Sequence, residues 1–230
     1  MVNIDPIRRA EIGREKRART RAQLVAAASA LFARQAVETV TVDDVIREAG
    51  VAKGTFYVHF KDLHALIASV AEDLLKSIDD LLQPVRLSIN DPALRVAYGC
   101  SCFIDKALSD PGWAGLAARM AATVGRGGEV ARRHLYEDLT AYVKRLPKGS
   151  SSAELSLEII VGIMLQVLGA ISEGRLSSRH RLGALAAILR AIGLDARHVR
   201  SVLARLPADE GAVPGKAAKP RTRAMRSVAV

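Results

Sequence analysis

The sequence predicts an all-α protein, on three observations. Alanine and unbranched residues dominate it, which favours helix. Its apolar residues recur at helical spacing, as in Leu24, Ala27, Ala28, Leu31 and Phe32. No run alternates with the period of two that marks a half-buried strand. Half of the 230 residues are hydrophobic but only 4% are aromatic, so the core must be built of Leu, Ile, Val and Ala.

The elements follow in order. Residues 1–17 form a charged arm, either solvated and frayed or in contact with phosphates. A first helix is expected from Glu15 to Arg34. Ala36-Val37-Glu38-Thr39-Val40 breaks it. Two short helices follow at about 42–48 and 52–58, and a longer one at about 61–82, which Pro84 should end or bend. Asp91 caps the next helix and Pro92 opens its first turn, carrying it to about Leu108. Ser109-Asp110-Pro111-Gly112 starts another, and Gly125-Arg126-Gly127-Gly128 interrupts the chain. Helices are expected at about 129–146, 153–174 and 178–192, with a loop at 147–152. Residues 207–230, rich in Ala, Gly, Pro, Lys and Arg, read as a disordered basic tail.

The formal charge is +10. Such a balance favours a polyanionic partner, either nucleic acid or an anionic membrane surface. Cys100 and Cys102 point in different directions on a helix, so no disulfide framework is implied, as expected of a cytoplasmic protein. The N-terminus has no apolar signal core. Leu155 to Ile171 is the most apolar run, but it contains Glu158 and Gln166 and is short for a membrane span. It reads as a buried helix, and no membrane partner is expected.

The informative stretch runs from Thr41 to Phe60. Thr41 is a good N-cap, and Asp44 completes a Thr-x-x-Asp capping box. Asp43 and Asp44 suit the positive end of that helix. Val42, Val45, Ile46 and Ala49 face inward, and Gly50 fits a left-handed C-terminal position. A second short helix follows at once, giving the spacing of a helix-turn-helix. Its N-terminal half would enter a major groove. Lys53 would meet phosphate or guanine, and Thr55 a base edge or a thymine methyl. Gly54 would let the backbone approach closely. Tyr57 and His59 would donate to phosphates, while Phe56 and Phe60 look like core anchors. The plain alternative is a helical hairpin with a basic face.

Thr20-Arg21, Leu24, Ala27-Ala28, Leu31-Phe32, Thr41-Val42-Asp43-Asp44-Val45 and Ala49 through Lys61 together resemble the DNA-binding domain of the TetR family of bacterial regulators. The resemblance covers about residues 18–65, and its AGVxKGTFYxHF core is its specific part. It implies an all-helical homodimer with three N-terminal DNA-binding helices and a C-terminal body that holds an effector pocket. It implies a ligand-released repressor on a palindromic operator, and movement of the fourth helix on ligand binding. By position, the DNA-facing residues are Thr41, Lys53, Gly54, Thr55, Tyr57, His59 and Lys61. Three positions depart from the family: Ala36 replaces a glycine, Ala52 a small polar residue and Leu63 a lysine. Leu63 cannot bind phosphate as a lysine would, and the basic arm, with Arg17 and Arg19 at its junction with the first helix, is expected to do so instead.

On this reading the domains are an arm (1–17), a helix-turn-helix domain (18–62), an effector-binding and dimerisation body (63–206) and a tail (207–230). The helix at 153–174 is apolar almost all round and must be buried on more than one side. Gly162, Gly169 and Ala170 would allow close helix approach. With the helix at 178–192 it would form a four-helix dimer face. Tyr98, Cys102, Phe103, Trp113, Met120, Tyr136 and Met164 could line an apolar pocket for an unidentified small molecule. Arg119, Arg126, Arg132, Arg133 and His134 could meet an anionic ligand but read better as a solvated face.

Other classes fit less well. No Walker loop, HExxH, GxSxG or carboxylate pair suggests an enzyme, and no cofactor is implied. The Cys and His residues show no metal-ligand spacing. The basic tail would suit a non-specific architectural DNA binder, which would show no effector response.

Overall fold

The computed structural model describes residues 6–124, 129–147, 149 and 151–206. Among them the chain is all-helical, with no strand. Ten α-helices run α1 (Pro6–Arg34), α2 (Val42–Ala49), α3 (Lys53–His59), α4 (Leu63–Ser88), α5 (Pro92–Ser109), α6 (Pro111–Val124), α7 (Glu129–Val143), α8 (Ala153–Ser172), α9 (Arg181–Ala191) and α10 (Ala196–Ala204). Val37–Thr39 and Ser178–His180 form 3₁₀ turns.

Three boundaries differ from expectation. Helix α1 begins at Pro6, well before Glu15. Proline suits a first helical turn, and the Arg, Lys, Glu and Ala that follow are strong helix formers. Arg17 and Arg19 stand exposed on this helix, and residues 6–14 of the expected arm are helical as well. Pro84 does not end α4, which continues to Ser88. The turn beyond it is held by buried Arg86, whose guanidinium is bonded across to α7. Helix α10 has no counterpart among the expected elements. Asp195 caps it through the N–H groups of Arg197 and His198, and only Val199 and Val202 are fully buried from it. The tail beyond residue 206 lies outside the described residues, as do residues 1–5 of the arm and the 125–128 break.

Two apolar clusters organise the molecule. The N-terminal one packs Leu24, Ala28 and Phe32 of α1 against Val45 of α2, Phe56 of α3 and Leu66 and Val70 of α4. Leu116 and Met120 of α6 complete it. The second gathers Ile78, Leu82, Ile104, Leu139, Ile160, Leu185 and Leu189 from the later helices. Helices α4 and α6 thus contribute to both, α4 with its first half to one and its second half to the other.

Helix α8 packs on α5, α6, α7 and α9, most extensively on α6. By length and composition it is also the one described helix apolar enough to cross a membrane. Gly115 of α6 makes the close approach: a Cβ there would lie 3.2 Å from Ser172 Cβ. Gly162 and Gly169, expected at such a contact, have open space where a Cβ would project. Nor is α8 buried on all sides within this chain, for Leu155 is 58% exposed.

Candidate functional site: an outward helix and a polar-ended cavity

Helices α2 and α3 are set by local chemistry. Thr41 Oγ1 accepts from Asp44 N at 3.2 Å, and Asp44 Oδ2 accepts from Thr41 N at 3.0 Å, which closes the capping box. Thr41's hydroxyl first, then its backbone N–H, holds the Asp44 carboxyl below its ordinary value. Gly50 sits at φ 65°, in the left-handed region that favours glycine. There the Val51 N–H returns to Ile46 O at 3.1 Å, turning the chain directly into α3. Gln23 Nε2 donates to Ala49 O at 2.6 Å and pins this turn to α1.

Aromatic anchors orient α3. Phe56 is fully buried and Phe60 nearly so, with ring centroids 5.9 Å apart. The Arg21 guanidinium stands 5.2 Å from the Phe60 ring centroid and donates to Ser69 Oγ at 2.7 Å, tying α1 to α4. With that face fixed, Lys53, Gly54 and Tyr57 are exposed and Thr55 and His59 are half-buried. Lys61, just beyond, is exposed, and so is Thr41 at the start of α2. Lys53 Nζ pairs with Asp43 Oδ1, whose hydrogen bond and charge raise the lysine's pKa. Val58 escaped the sequence reading: it is 71% exposed beside Tyr57. The signal was available, because a helical step from buried Phe56 places both residues outside.

In the body a cavity of about 140 Å³ opens between α4, α5, α6, α7 and α8. Leu75, Leu82, Val96, Phe103, Ile160 and Met164 are among its apolar walls. One end is polar. Arg86 Nε and Nη2 donate to the two carboxylate oxygens of Asp138 at 2.6 and 2.9 Å, and both residues are buried. Arg86 also donates to Gln83 Oε1 at 2.7 Å and to the His134 carbonyl at 2.9 Å. His134 Nδ1 lies 2.7 Å from buried Asp79 Oδ2. Arg95 Nη1 reaches Asp138 Oδ1 at 3.3 Å, but its Nε is buried without a hydrogen-bond partner among the described residues.

Of the pocket residues read from sequence, Phe103 and Met164 line this cavity. Tyr98, Cys102, Trp113, Met120 and Tyr136 do not. Cys100, two residues from Cys102, takes the lining position, and burial pushes its thiol up to about 12. Trp113 is buried behind Phe103, and Met120 faces the N-terminal cluster. Tyr136 is exposed and donates its hydroxyl to Glu154 Oε1 at 2.6 Å. The basic face divides as well. Arg132 and His134 line the cavity, Arg133 is exposed, and Arg119 donates to Phe32 O at 3.2 Å, joining α6 to α1.

Comparisons with known proteins agree with this geometry. Residues 24–70 match the model of the bacterial regulatory proteins, tetR family. The chain is 34% identical over 53 residues to the uncharacterized HTH-type transcriptional regulator YvdT of Bacillus subtilis (strain 168). That match covers 23% of this chain and spans only 27% of the relative's length. RolR, solved in complex with resorcinol, superposes with a TM-score of 0.58 at 28% identity, over 84% of this chain and 98% of that one. The fatty acid degradation regulator FadR from Bacillus halodurans shares the fold, with a TM-score of 0.57 at 15% identity over 76% of this chain and 97% of its own. Residues 24–70 thus match the tetR family of bacterial regulatory proteins, and over most of its length the chain shares its all-helical fold with solved regulators such as RolR.

Proposed function

We propose that the protein is a dimeric repressor that binds a near-palindromic operator in the cytoplasm and leaves it when a small molecule occupies the body cavity. The observation that carries this reading is the orientation of α3. Phe56 and Phe60 anchor one face in the core while Lys53, Tyr57 and Val58 are exposed and Thr55 is half-buried. Such a helix suits a major groove, with Lys53, Tyr57, His59 and Lys61 at phosphates and Thr55 with Gly54 at base edges. Thr41 meets the backbone from the start of α2. The basic face of α1, including Arg17 and Arg19, adds phosphate contacts.

Dimerisation through α8 and α9 is supported by apolar surface that this chain leaves uncovered. Leu155 on α8 and Leu182 on α9 are both more than half exposed. Gly162, Ile163, Gln166, Val167 and Ala170 of α8 line a shallow groove with Arg175 and Leu176. A second copy on a two-fold axis would cover it and set two α3 helices on one duplex.

Effector control is supported by the cavity and by the two helices that join it to the head. Leu75, Asp79, Leu82 and Arg86 of α4 line the cavity, while Leu66 and Val70 of the same helix belong to the N-terminal cluster that holds Phe56 of α3. Ala121 of α6 lines it too, next to Met120 in the head core. A ligand that shifts α4 would therefore act on the cluster in which α3 is anchored. The RolR likeness, with its bound resorcinol, supports a ligand of one-ring size.

Footprinting of the full-length protein on DNA flanking its own gene, with and without a panel of one-ring compounds, tests the proposal. A protected near-palindrome that at least one compound releases is expected. Uniform protection without sequence preference, unaffected by every compound, would overturn it in favour of a non-specific binder.

A further inference from the structure

We infer that the effector is a neutral single-ring compound bearing a hydroxyl or carbonyl oxygen, and that Arg95 of α5 recognises that oxygen through its Nε–H. The inference rests on the effector reading above and gives it a ligand chemistry.

Size comes first. The cavity measures about 140 Å³, close to the ~150 Å³ of an apolar protein cavity that takes up benzene. Its walls fit a ring: Phe103, Leu82, Val96 and Ile160 present only carbon.

Polarity comes second. At the cavity's polar end the hydrogen-bonding capacity of Arg86 is engaged by Asp138, Gln83 and the His134 carbonyl. Arg95 is different. Its Nη1 reaches Asp138, but its Nε, buried, has no acceptor among the described residues. A buried donor without an acceptor is costly, and an acceptor on a ligand removes that cost. An apolar ring would leave it in place.

Charge comes third. Arg86 and Arg95 both pair with Asp138, Arg86 also lies 3.5 Å from Glu137 Oε2, Asp79 stands in the same wall beside His134, and Arg132 pairs with Glu158 at 2.5 Å. The cations are therefore already balanced. A carboxylate would bring an unmatched anion beside Asp138, so a neutral oxygen fits better than an acid.

The chain's single tryptophan supplies the readout. Trp113 is buried with its ring centroid 6.3 Å from that of Phe103, which lines the cavity. Its emission is titrated in the full-length protein with toluene, phenol, resorcinol and benzoate, and each is scored in parallel for release of the footprinted DNA. Phenol or resorcinol should bind about tenfold or more tighter than toluene, and benzoate weaker than phenol, as one satisfied hydrogen bond implies. Arg95→Met should bring the phenol-to-toluene ratio close to one. Arg95→Lys keeps the charge near Asp138 but lacks the Nε–H, and should lower the ratio as well. If Arg95→Met does not fold by circular dichroism, the wild-type ratio and Arg95→Lys decide. Equal binding of phenol and toluene by the wild type, a ratio that survives in the Arg95 variants, or a preference for benzoate would each overturn the inference while leaving a one-ring effector in place. Absence of binding and of release by all four would overturn it together with the effector reading.

Discussion

Lys53 Nζ lies 2.9 Å from Asp43 Oδ1, so the first cation of α3 is already paired with a carboxylate on α2. Both groups are more than half exposed, where an ion pair adds little stability and exchanges partners readily. A phosphate arriving at Lys53 must compete with Asp43, and Asp43 itself repels it. Asp43→Asn should therefore tighten DNA binding several-fold and steepen its salt dependence, because one more counterion is released per contact, about 0.9 units of log–log slope on duplex DNA. Fluorescence anisotropy across a salt series checks this. Unchanged affinity and slope would remove Lys53 from the phosphate contacts.

The Arg86–Asp138 bond should be a principal clamp between α4 and α7. Arg86→Met would leave Asp138 buried with only a 3.3 Å contact to Arg95. Breaking one half of a buried pair costs about 3–5 kcal/mol, and a loss of that order should appear in urea unfolding. Replacing both partners, as Arg86→Met with Asp138→Leu, should recover much of it, since an apolar pair leaves no stranded charge. A double variant no more stable than the single one would show that the clamp matters through its other bonds, to Gln83 and the His134 carbonyl.

Asp91 gives the acid limb of stability a specific origin. Burial raises its pKa, but the hydrogen bond from Arg205 and the Ala93 N–H outweigh that and leave it below its ordinary 3.8. The carboxylate is thus favoured in the folded state. Its contribution is fully present above pH 3.8 and is lost as pH falls through the lower folded value. Asp91→Asn keeps a good N-cap residue for α5 but removes the ion pair to Arg205. The difference in Tm between wild type and Asp91→Asn should shrink as pH falls below about 4. A gap that stays constant down to pH 3 would assign the effect to packing of α10.

The two cysteines should differ in reactivity. Cys100 is buried and its thiol is pushed up to about 12, so almost no thiolate exists at neutral pH. Cys102, on the same helix, is only partly buried. Ellman's reagent at mildly alkaline pH should modify Cys102 first, and Cys102→Ser should abolish the fast phase. A fast phase that persists would place Cys100 in contact with solvent through the cavity.

Much of the head is legible in the sequence because its signals are local. Thr41, Asp44 and Gly50 state a cap, a box and a turn within ten residues, and Phe56 and Phe60 mark the buried side of α3. The body is less legible because its decisive contacts are long-range. Arg86 meets Asp138 from 52 residues away, and no periodicity announces a charge that will be buried by pairing. His134 and Arg132 accordingly read as a solvated face yet line the cavity. Sequence names Cys102 as a pocket candidate, whereas Cys100, about 200° away around the same helix, lines the cavity. Pro84 misleads for the same reason, since the contact that carries α4 past it lies on another helix.

The central claim, that α3 reads a duplex as one of a symmetric pair, is tested most directly by selecting binding sites from a random duplex pool. Wild type and Thr55→Ala are compared with Lys61→Ala. The account predicts an enriched near-palindrome with half-sites about one helical turn apart, altered in sequence by Thr55→Ala and only weakened by Lys61→Ala. Enrichment of no common sequence, or of the same sequence by Thr55→Ala at undiminished affinity, would contradict it.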